Sequence, residues 1–136
     1  MIAADTSTWV AFLQGDPGED TELLDQALAA KHVLMAPAVL TELLSDPKLS
    51  PEVGKTLAQL PLIDITRGFW ERAGKLRARV LARHRKARLG DALIAQCCVD
   101  RKVTLLTRDG DFRAFAEAAE LALFPHPEAG DAADQS

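Results

Sequence analysis

Four acidic residues occupy positions where the surrounding sequence is apolar. Asp5 ends a short apolar run that begins near residue 1, and Asp109 follows the apolar segment KVTLLT. Glu42 lies among aliphatic residues in VLTELL, and Asp91 begins the apolar segment DALIAQCCVD. A charge in such surroundings must find a partner or point into a cavity, because an unpaired buried charge is costly.

Gathered in one pocket, these four carboxylates would repel one another by up to ~4 kcal/mol for each close pair, at an effective dielectric of about 20. Such a cluster persists when a hard divalent cation neutralises it. Mg²⁺ and Mn²⁺ both prefer oxygen ligands, and Mg²⁺ usually keeps several waters and binds substrate phosphates. The set therefore predicts a site for Mg²⁺ or Mn²⁺.

Each carboxylate taken alone also has a purely structural interpretation. Asp91 would cap its helix, and Asp109 with Asp111 would be turn residues. Glu42 would be solvated on the open face of its helix. Asp5 is the hardest to explain in this way, so the hypothesis of a site depends on the four residues together.

Apolar runs of strand length alternate with segments of helical periodicity. The predicted strands are residues 1–4, HVLMAP, LPLIDI, KVTLLT and a short fifth run, LALF. The predicted helices are residues 7–13, 21–30, 37–45, a short segment ending at 60, 66–85, 91–100 and 111–119. This alternation predicts an α/β fold, with a central, mostly parallel sheet of four to five strands flanked by helices. Ligands of such sheets bind beyond the carboxyl ends of the strands, where Asp5 and Asp109 should both emerge.

Length and composition are those of one globular domain, with 136 residues of which 48% are hydrophobic and 26% charged. We expect this domain to comprise residues 1–125, and residues 126–136 to form a disordered tail. No segment is long and apolar enough for a membrane span, and no signal peptide opens the chain. The adjacent Cys97 and Cys98 are typical of reduced core thiols, so we expect a cytoplasmic protein.

Charge is distributed unevenly along the chain, although the net charge is only −4. Residues 1–66 hold three Lys/Arg and ten Asp/Glu, residues 67–113 hold thirteen and five, and residues 114–136 hold none and five. Within the predicted helix 66–85 and just beyond it, basic residues recur at steps of three and four, which predicts a basic stripe. Its members are Arg72, Lys75, Arg79, Arg83 and Lys86.

Three blocks of sequence resemble the PIN domain, and closely its VapC type, the ribonuclease toxins of type II bacterial toxin–antitoxin modules. The first is ADTSTW with Asp5 and Ser7, and the second is APAVLTELL with Glu42. The third and most specific is RLGDALIAQCCVDRKVTLLTRDGDF, with Asp91, Thr107 and Asp109. The resemblance extends from Ile2 to about Phe124.

The resemblance implies a single PIN-like domain that hydrolyses RNA phosphodiester bonds as a metal-dependent endoribonuclease, the toxin of a toxin–antitoxin pair. It implies a Mg²⁺ or Mn²⁺ cofactor, a cognate antitoxin and a homodimer. The catalytic, metal-binding residues would be Asp5, Glu42, Asp91 and Asp109, with Asp111 as a further candidate. Ser7 and Thr107 would be supporting hydroxyls. One metal ion or two would fit this set.

The basic residues have two interpretations of about equal weight, a solvated helix face or a phosphate-binding surface for RNA. The RNA-binding candidates are Arg72, Lys75, Arg79, Arg83, Lys86 and Arg108. Acidic antitoxin segments are a third set of possible partners for the arginines. Trp9 is interpreted as a dimer or antitoxin surface if exposed. The alternative function is a catalytically inactive PIN-fold module for protein interaction, which retention of all four carboxylates argues against.

Overall fold

A parallel β-sheet forms the centre of the computed structural model, which describes residues 1–125. Strands β1 (Ile2–Ala4), β2 (Thr104–Leu106) and β3 (Leu123–Phe124) lie in the order β1-β2-β3. Ile2 pairs with Thr104, and Leu105 pairs with Leu123. The predicted tail, residues 126–136, lies outside the described part of the chain.

The predicted strands HVLMAP and LPLIDI lie beside β1 and are joined to the sheet by isolated parallel bridges. Val33 bridges to Ile2, and Leu62 bridges to Met35. The bridges are supported by hydrogen bonds from Leu34 N to Ile2 O at 2.8 Å and from Ile63 N to Met35 O at 2.9 Å. The predicted α/β fold with a parallel sheet is therefore confirmed, with three regular strands among residues 1–125 and two extended segments beside them.

Seven helices within residues 1–125 surround this sheet. They are α1 (Thr6–Leu13), α2 (Glu19–Ala29), α3 (Pro37–Leu44), α4 (Pro51–Ala58), α5 (Phe69–Ala82), α6 (Leu89–Arg101) and α7 (Phe112–Ala119). Proline occupies the first position of α3 and of α4, where its missing N–H removes no helical hydrogen bond. None of the helices in this range is both long and apolar enough to cross a membrane.

The boundary between α5 and α6 differs from the prediction. We predicted one helix over residues 66–85, with Gly90 as the residue that breaks it. Helix α5 ends at Ala82, and His84 has a left-handed backbone with φ of 59°. Gly90 lies inside the first turn of α6. The predicted stripe therefore ends with the helix, because Arg83 is the C-cap of α5 and Lys86 lies in the loop.

Both faces of the sheet are buried against helices, as expected for parallel strands. Leu105 of β2 is fully buried, as are Leu76 and Val80 of α5. Cys97 and Cys98 are buried free thiols, and burial raises the pKa of Cys97 to about 11. These thiols are therefore protonated packing groups at neutral pH.

Three aromatic residues of α1 and α5 differ in exposure. Trp9 is only 2% exposed and belongs to the core, so the condition for a dimer or antitoxin surface at this residue is not met. The reason is that α1 turns the indole inward, where it meets the Phe12 ring edge-on at 5.9 Å. Trp70 is 62% exposed, whereas the adjacent Phe69 is buried.

Candidate metal centre

Asp5 is delivered to the carboxyl edge of the sheet by β1 and is almost fully buried, with 3% of its surface exposed. It is the N-cap of α1, where its Oδ1 accepts from Thr8 N at 3.0 Å. Ser7 Oγ donates to the same oxygen at 2.7 Å, and Thr107 Oγ1 donates to Oδ2 at 2.7 Å. Both hydroxyl candidates therefore contact Asp5 directly and fix the orientation of its carboxylate.

Two opposing influences act on the pKa of Asp5, namely burial and hydrogen bonding. Burial raises the pKa of Asp5, and the negative charge of Asp109 raises it further. The hydrogen bonds from Thr107, Thr8 and Ser7 act in the opposite direction, because they stabilise the ionised form. The hydroxyls therefore let a buried carboxylate persist beside other acidic groups.

Asp91 lies in the first turn of α6 and does not cap that helix, since Arg88 is the N-cap residue. Its Oδ2 is buried and has no hydrogen-bond partner within residues 1–125. Burial and then the charge of Asp109 raise the pKa of Asp91 to about 6. Arg88 lowers this pKa, whereas Glu42 and Asp5 raise it. The interpretation of Asp91 as a helix cap is therefore wrong, and a buried carboxylate oxygen is left for another partner.

Asp109 and Asp111 lie in the loop between β2 and α7. Asp109 N donates to Thr107 Oγ1 at 2.9 Å, and Asp111 N donates to Asp109 Oδ1 at 2.9 Å. Asp109 thus does stabilise a turn, in agreement with its structural interpretation. The same turn brings one carboxylate oxygen each of Asp91, Asp109 and Asp111 within 4.8 Å of one another.

Glu42 lies on α3, with an exposed side chain that accepts a hydrogen bond from Thr6 Oγ1 at 2.9 Å. The cleft has a volume of about 440 Å³. It is lined by Asp5, Thr6, Ser7, Val10, Glu42, Arg88, Asp91, Ile94 and Asp109. All four predicted carboxylates therefore line one cavity, but Glu42 and Asp5 lie outside the tightest group of three.

The chemistry of these side chains fits a hard divalent cation. The available atoms are carboxylate and hydroxyl oxygens, and neither His nor Cys contributes to the group of Asp91, Asp109 and Asp111. Oxygen ligands of this kind suit Mg²⁺, Mn²⁺ or Ca²⁺. Among residues 1–125, Asp91 Oδ2 is a buried oxygen without a hydrogen-bond donor, and as a carboxylate oxygen it is available to a cation; Trp9 Nε1 is also buried without a partner but is a donor and lies outside the cleft.

Arg108, a candidate for RNA binding, has a protein partner that the sequence did not reveal. Its Nε donates to Asp20 Oδ2 at 2.7 Å, and its Nη2 donates to Asp20 Oδ1 at 3.0 Å. Asp20 also accepts from Thr8 Oγ1 at 2.9 Å, and Arg108 N donates to Ser7 Oγ at 3.0 Å. A Cβ on Gly18 would lie 2.6 Å from Arg108 Nη2, so glycine permits this close approach.

The remaining basic candidates fall into two groups. Arg72 pairs with Asp100 at 2.6 Å, and Lys86 pairs with Asp111 at 3.4 Å. Exposed cations for which residues 1–125 provide no ion pair are Lys75, Arg79 and Arg83. The prediction of one continuous stripe from Arg72 to Lys86 is therefore wrong, because helix α5 ends before its last two members.

Asp20, Arg88 and Lys86 are the functional-site residues that sequence reasoning missed or placed elsewhere. Asp20 lies 88 residues from Arg108 in the chain, so no local pattern links the two. Arg88 directly precedes α6 and lines the cleft. In the sequence Arg88 is one of three residues, with Arg77 and Arg85, that widen the predicted basic stripe, and nothing there links it to the acidic residues.

Comparison with known proteins agrees with this architecture. The sequence model of the PIN domain matches residues 2–118. Similar solved structures include VapBC2 from Rickettsia felis bound to a DNA fragment from its promoter, with 25% identity and a TM-score of 0.67 over 90% of this chain and 97% of that chain. FitAcB from Neisseria gonorrhoeae has 20% identity and a TM-score of 0.65, with 91% and 96% covered.

VapBC-5 from Mycobacterium tuberculosis, a member of the VapBC family of toxin–antitoxin systems, has 20% identity and a TM-score of 0.63. That alignment covers 90% of this chain and 95% of the VapBC-5 chain. No curated protein matches the sequence significantly. Since the family model spans most of the chain and includes every candidate carboxylate, this protein belongs to the PIN domain family.

Proposed function

We propose that this protein is a divalent-metal-dependent endoribonuclease and acts as the toxin of a toxin–antitoxin pair. The observation that carries the proposal is the buried, unpartnered Oδ2 of Asp91, which lies beside Asp109 in a cleft also lined by Asp5 and Glu42. Membership of the PIN domain family and similarity to VapBC structures support the same function.

The residues proposed to hold the cation are Asp91, Asp109 and Asp5. A bound Mg²⁺ or Mn²⁺ would lower the pKa of a water molecule and neutralise charge on a phosphodiester. Asp5 enters this set already oriented by Ser7 and Thr107, so little motion is needed for it to act as a ligand. Asp91 contributes an oxygen without a competing hydrogen-bond donor.

Glu42 differs from Asp5 because its side chain is exposed, although both residues line the same cleft. Thr6 Oγ1 donates to Glu42 Oε1 and so restrains the carboxylate. We assign Glu42 the task of orienting the attacking water and accepting its proton. An exposed carboxylate that lines the cleft can form a hydrogen bond to a water molecule entering from solvent, and such reach is the first requirement for a general base.

RNA would approach along the segment with the highest positive charge. Lys75, Arg79 and Arg83 are exposed, and Arg88 lines the cleft itself. Such groups attract phosphates without regard to sequence. We expect smaller contributions from Arg72 and Arg108, since each guanidinium already forms two hydrogen bonds to a carboxylate.

The proposed protein partners are a cognate antitoxin and a second copy of this chain in a cytoplasmic homodimer. Exposed apolar side chains support a protein-binding surface, since Trp70 and Leu89 are each 62% exposed. Trp70 also lines a largely apolar groove with Ile65 and Pro37. An inactive interaction module would not need the orphaned Asp91 oxygen, so we favour the enzyme.

Cleavage of RNA by purified, antitoxin-free protein tests the proposal directly. Mixed RNA is incubated with Mg²⁺, with Mn²⁺ or with EDTA, and Asp91→Asn is compared with Asp64→Asn. Asp64 is exposed and outside the cleft, so its variant controls for loss of one negative charge. We expect metal-dependent cleavage by wild type and Asp64→Asn but not by Asp91→Asn. Full activity of folded Asp91→Asn, or cleavage that persists in EDTA, would overturn the assignment.

A further inference from the structure

Lys86 brings an ammonium group to the edge of the acidic cluster. Its Nζ lies 3.4 Å from Asp111 Oδ2. Asp111 is also the outer member of the group whose carboxylate oxygens lie within 4.8 Å of one another, together with Asp91 and Asp109. The chain therefore pairs Lys86 with the cluster on the side of Asp111, in addition to Arg88, which lines the cleft with Asp91.

The two sides of the cluster differ in what neutralises them. On the inner side, Asp91 Oδ2 is buried and has no partner among the described residues. On the outer side, the Asp111 side chain is 32% exposed and already paired. A divalent ion on the outer side would have to displace the ammonium group or bind against its repulsion.

We infer that Lys86 occupies the place of a second cation, so that the native protein binds one divalent ion at Asp91 and Asp109. Asp111 then becomes a metal ligand only when Lys86 is removed. This inference rests on the proposed metal-dependent function and specifies its stoichiometry. In two-metal sites a second ion supplies positive charge opposite the first, and here Lys86 supplies that charge from the chain itself.

The number of bound Mn²⁺ ions in RNA-free, full-length protein tests the inference. Free Mn²⁺ is followed by electron paramagnetic resonance during titration of wild type, Lys86→Gln and Lys86→Arg. Arg85→Gln is the matched control, because Arg85 precedes Lys86 in the same loop and pairs with Glu117 rather than with the cluster. Lys86 and Arg85 are both exposed, so these three variants should fold.

One Mn²⁺ per chain is expected for wild type, Lys86→Arg and Arg85→Gln, and two for Lys86→Gln. Loss of the positive charge should tighten the second site by at least about fivefold. Adding Asp111→Asn to Lys86→Gln should return the number to one. Lys86→Gln that still binds one ion, or wild type that already binds two, would overturn the inference while the metal site stands. Absence of Mn²⁺ binding by wild type would overturn both the inference and the proposed cofactor.

Discussion

Replacement of Asp91 by asparagine should stabilise the metal-free protein at neutral pH. The pKa of Asp91 is raised from 3.8 to about 6 by burial and by the charge of Asp109, with smaller contributions from Glu42 and Asp5 and an opposing one from Arg88. A shift of this size corresponds to about 3 kcal/mol of unfavourable interaction in the ionised form. Partial solvent access reduces this value, so we expect Asp91→Asn to gain about 1–3 kcal/mol at pH 7.

The pH dependence of this gain follows from proton binding. Between pH 3.8 and about 6 the folded state holds the Asp91 proton more tightly than the unfolded state does. The free energy of unfolding of wild type therefore falls as pH rises through this window and loses no more from Asp91 above it. The asparagine variant lacks this decline, so the two proteins should have similar stability near pH 4 and differ most above pH 6.

Urea unfolding in EDTA at a series of pH values measures the difference, with Asp64→Asn as the control for charge. Mn²⁺ should remove most or all of the variant's advantage, because an ion at 100 times its Kd stabilises wild type by about 2.7 kcal/mol. The variant should gain much less. A variant that is less stable than wild type in EDTA at pH 7, or that gains equally from Mn²⁺, would refute the electrostatic account of Asp91.

Three further changes test the surroundings of the cluster. Thr107→Val should lower the free energy of unfolding in urea by about 1–3 kcal/mol, because Asp5 Oδ2 then loses its buried donor. Thr107→Ser should keep most of the wild-type stability. A valine variant as stable as wild type would contradict this account. Arg108→Met should destabilise the protein by about 1–3 kcal/mol. The double variant with Asp20→Asn should lose less stability than the two single variants lose in total, because the paired side chains are coupled. Strictly additive losses would exclude this coupling. Replacement of Lys75, Arg79 and Arg83 together by glutamine should weaken RNA binding and reduce its salt dependence, while Mn²⁺ binding stays unchanged. An unaltered salt dependence of RNA binding would show that these three residues are not part of the RNA surface.

The sequence was sufficient to predict the α/β fold because its strands are apolar runs separated by amphipathic helices. It also identified the edge of the sheet at which Asp5 and Asp109 emerge, since that edge follows from strand direction alone. Regular strands at HVLMAP and LPLIDI were predicted from the same signal, but these segments form only isolated bridges, one between Val33 and Ile2 and one between Met35 and Leu62. An apolar run specifies burial, whereas the length of a ladder depends on the neighbouring segment.

Several features of the site depend on contacts that no local pattern contains. The pairing of Arg108 with Asp20 joins residues far apart in sequence, and it gives a candidate RNA-binding residue a structural contact as well. The end of α5 depends on His84, a residue with no strong tendency to terminate a helix. Its left-handed backbone moves Lys86 off the helix, and the same loop brings that lysine to Asp111.

Hydrogen bonding divides the proposed metal ligands into two kinds. An ionised carboxylate has about four lone-pair sites, and Asp5 already accepts three hydrogen bonds, from Ser7, Thr8 and Thr107. About one site is left for a cation, whereas Asp91 Oδ2 has no donor at all. An ion should therefore bind mainly through Asp91, and Asp5 should contribute mainly by its fixed position. Asp91→Asn should accordingly reduce Mn²⁺ affinity more than Asp5→Asn does. Asp5→Asn should be the more destabilising change in EDTA, because its amide cannot accept on both sides. The opposite order in both measurements would show that Asp5 is the principal ligand.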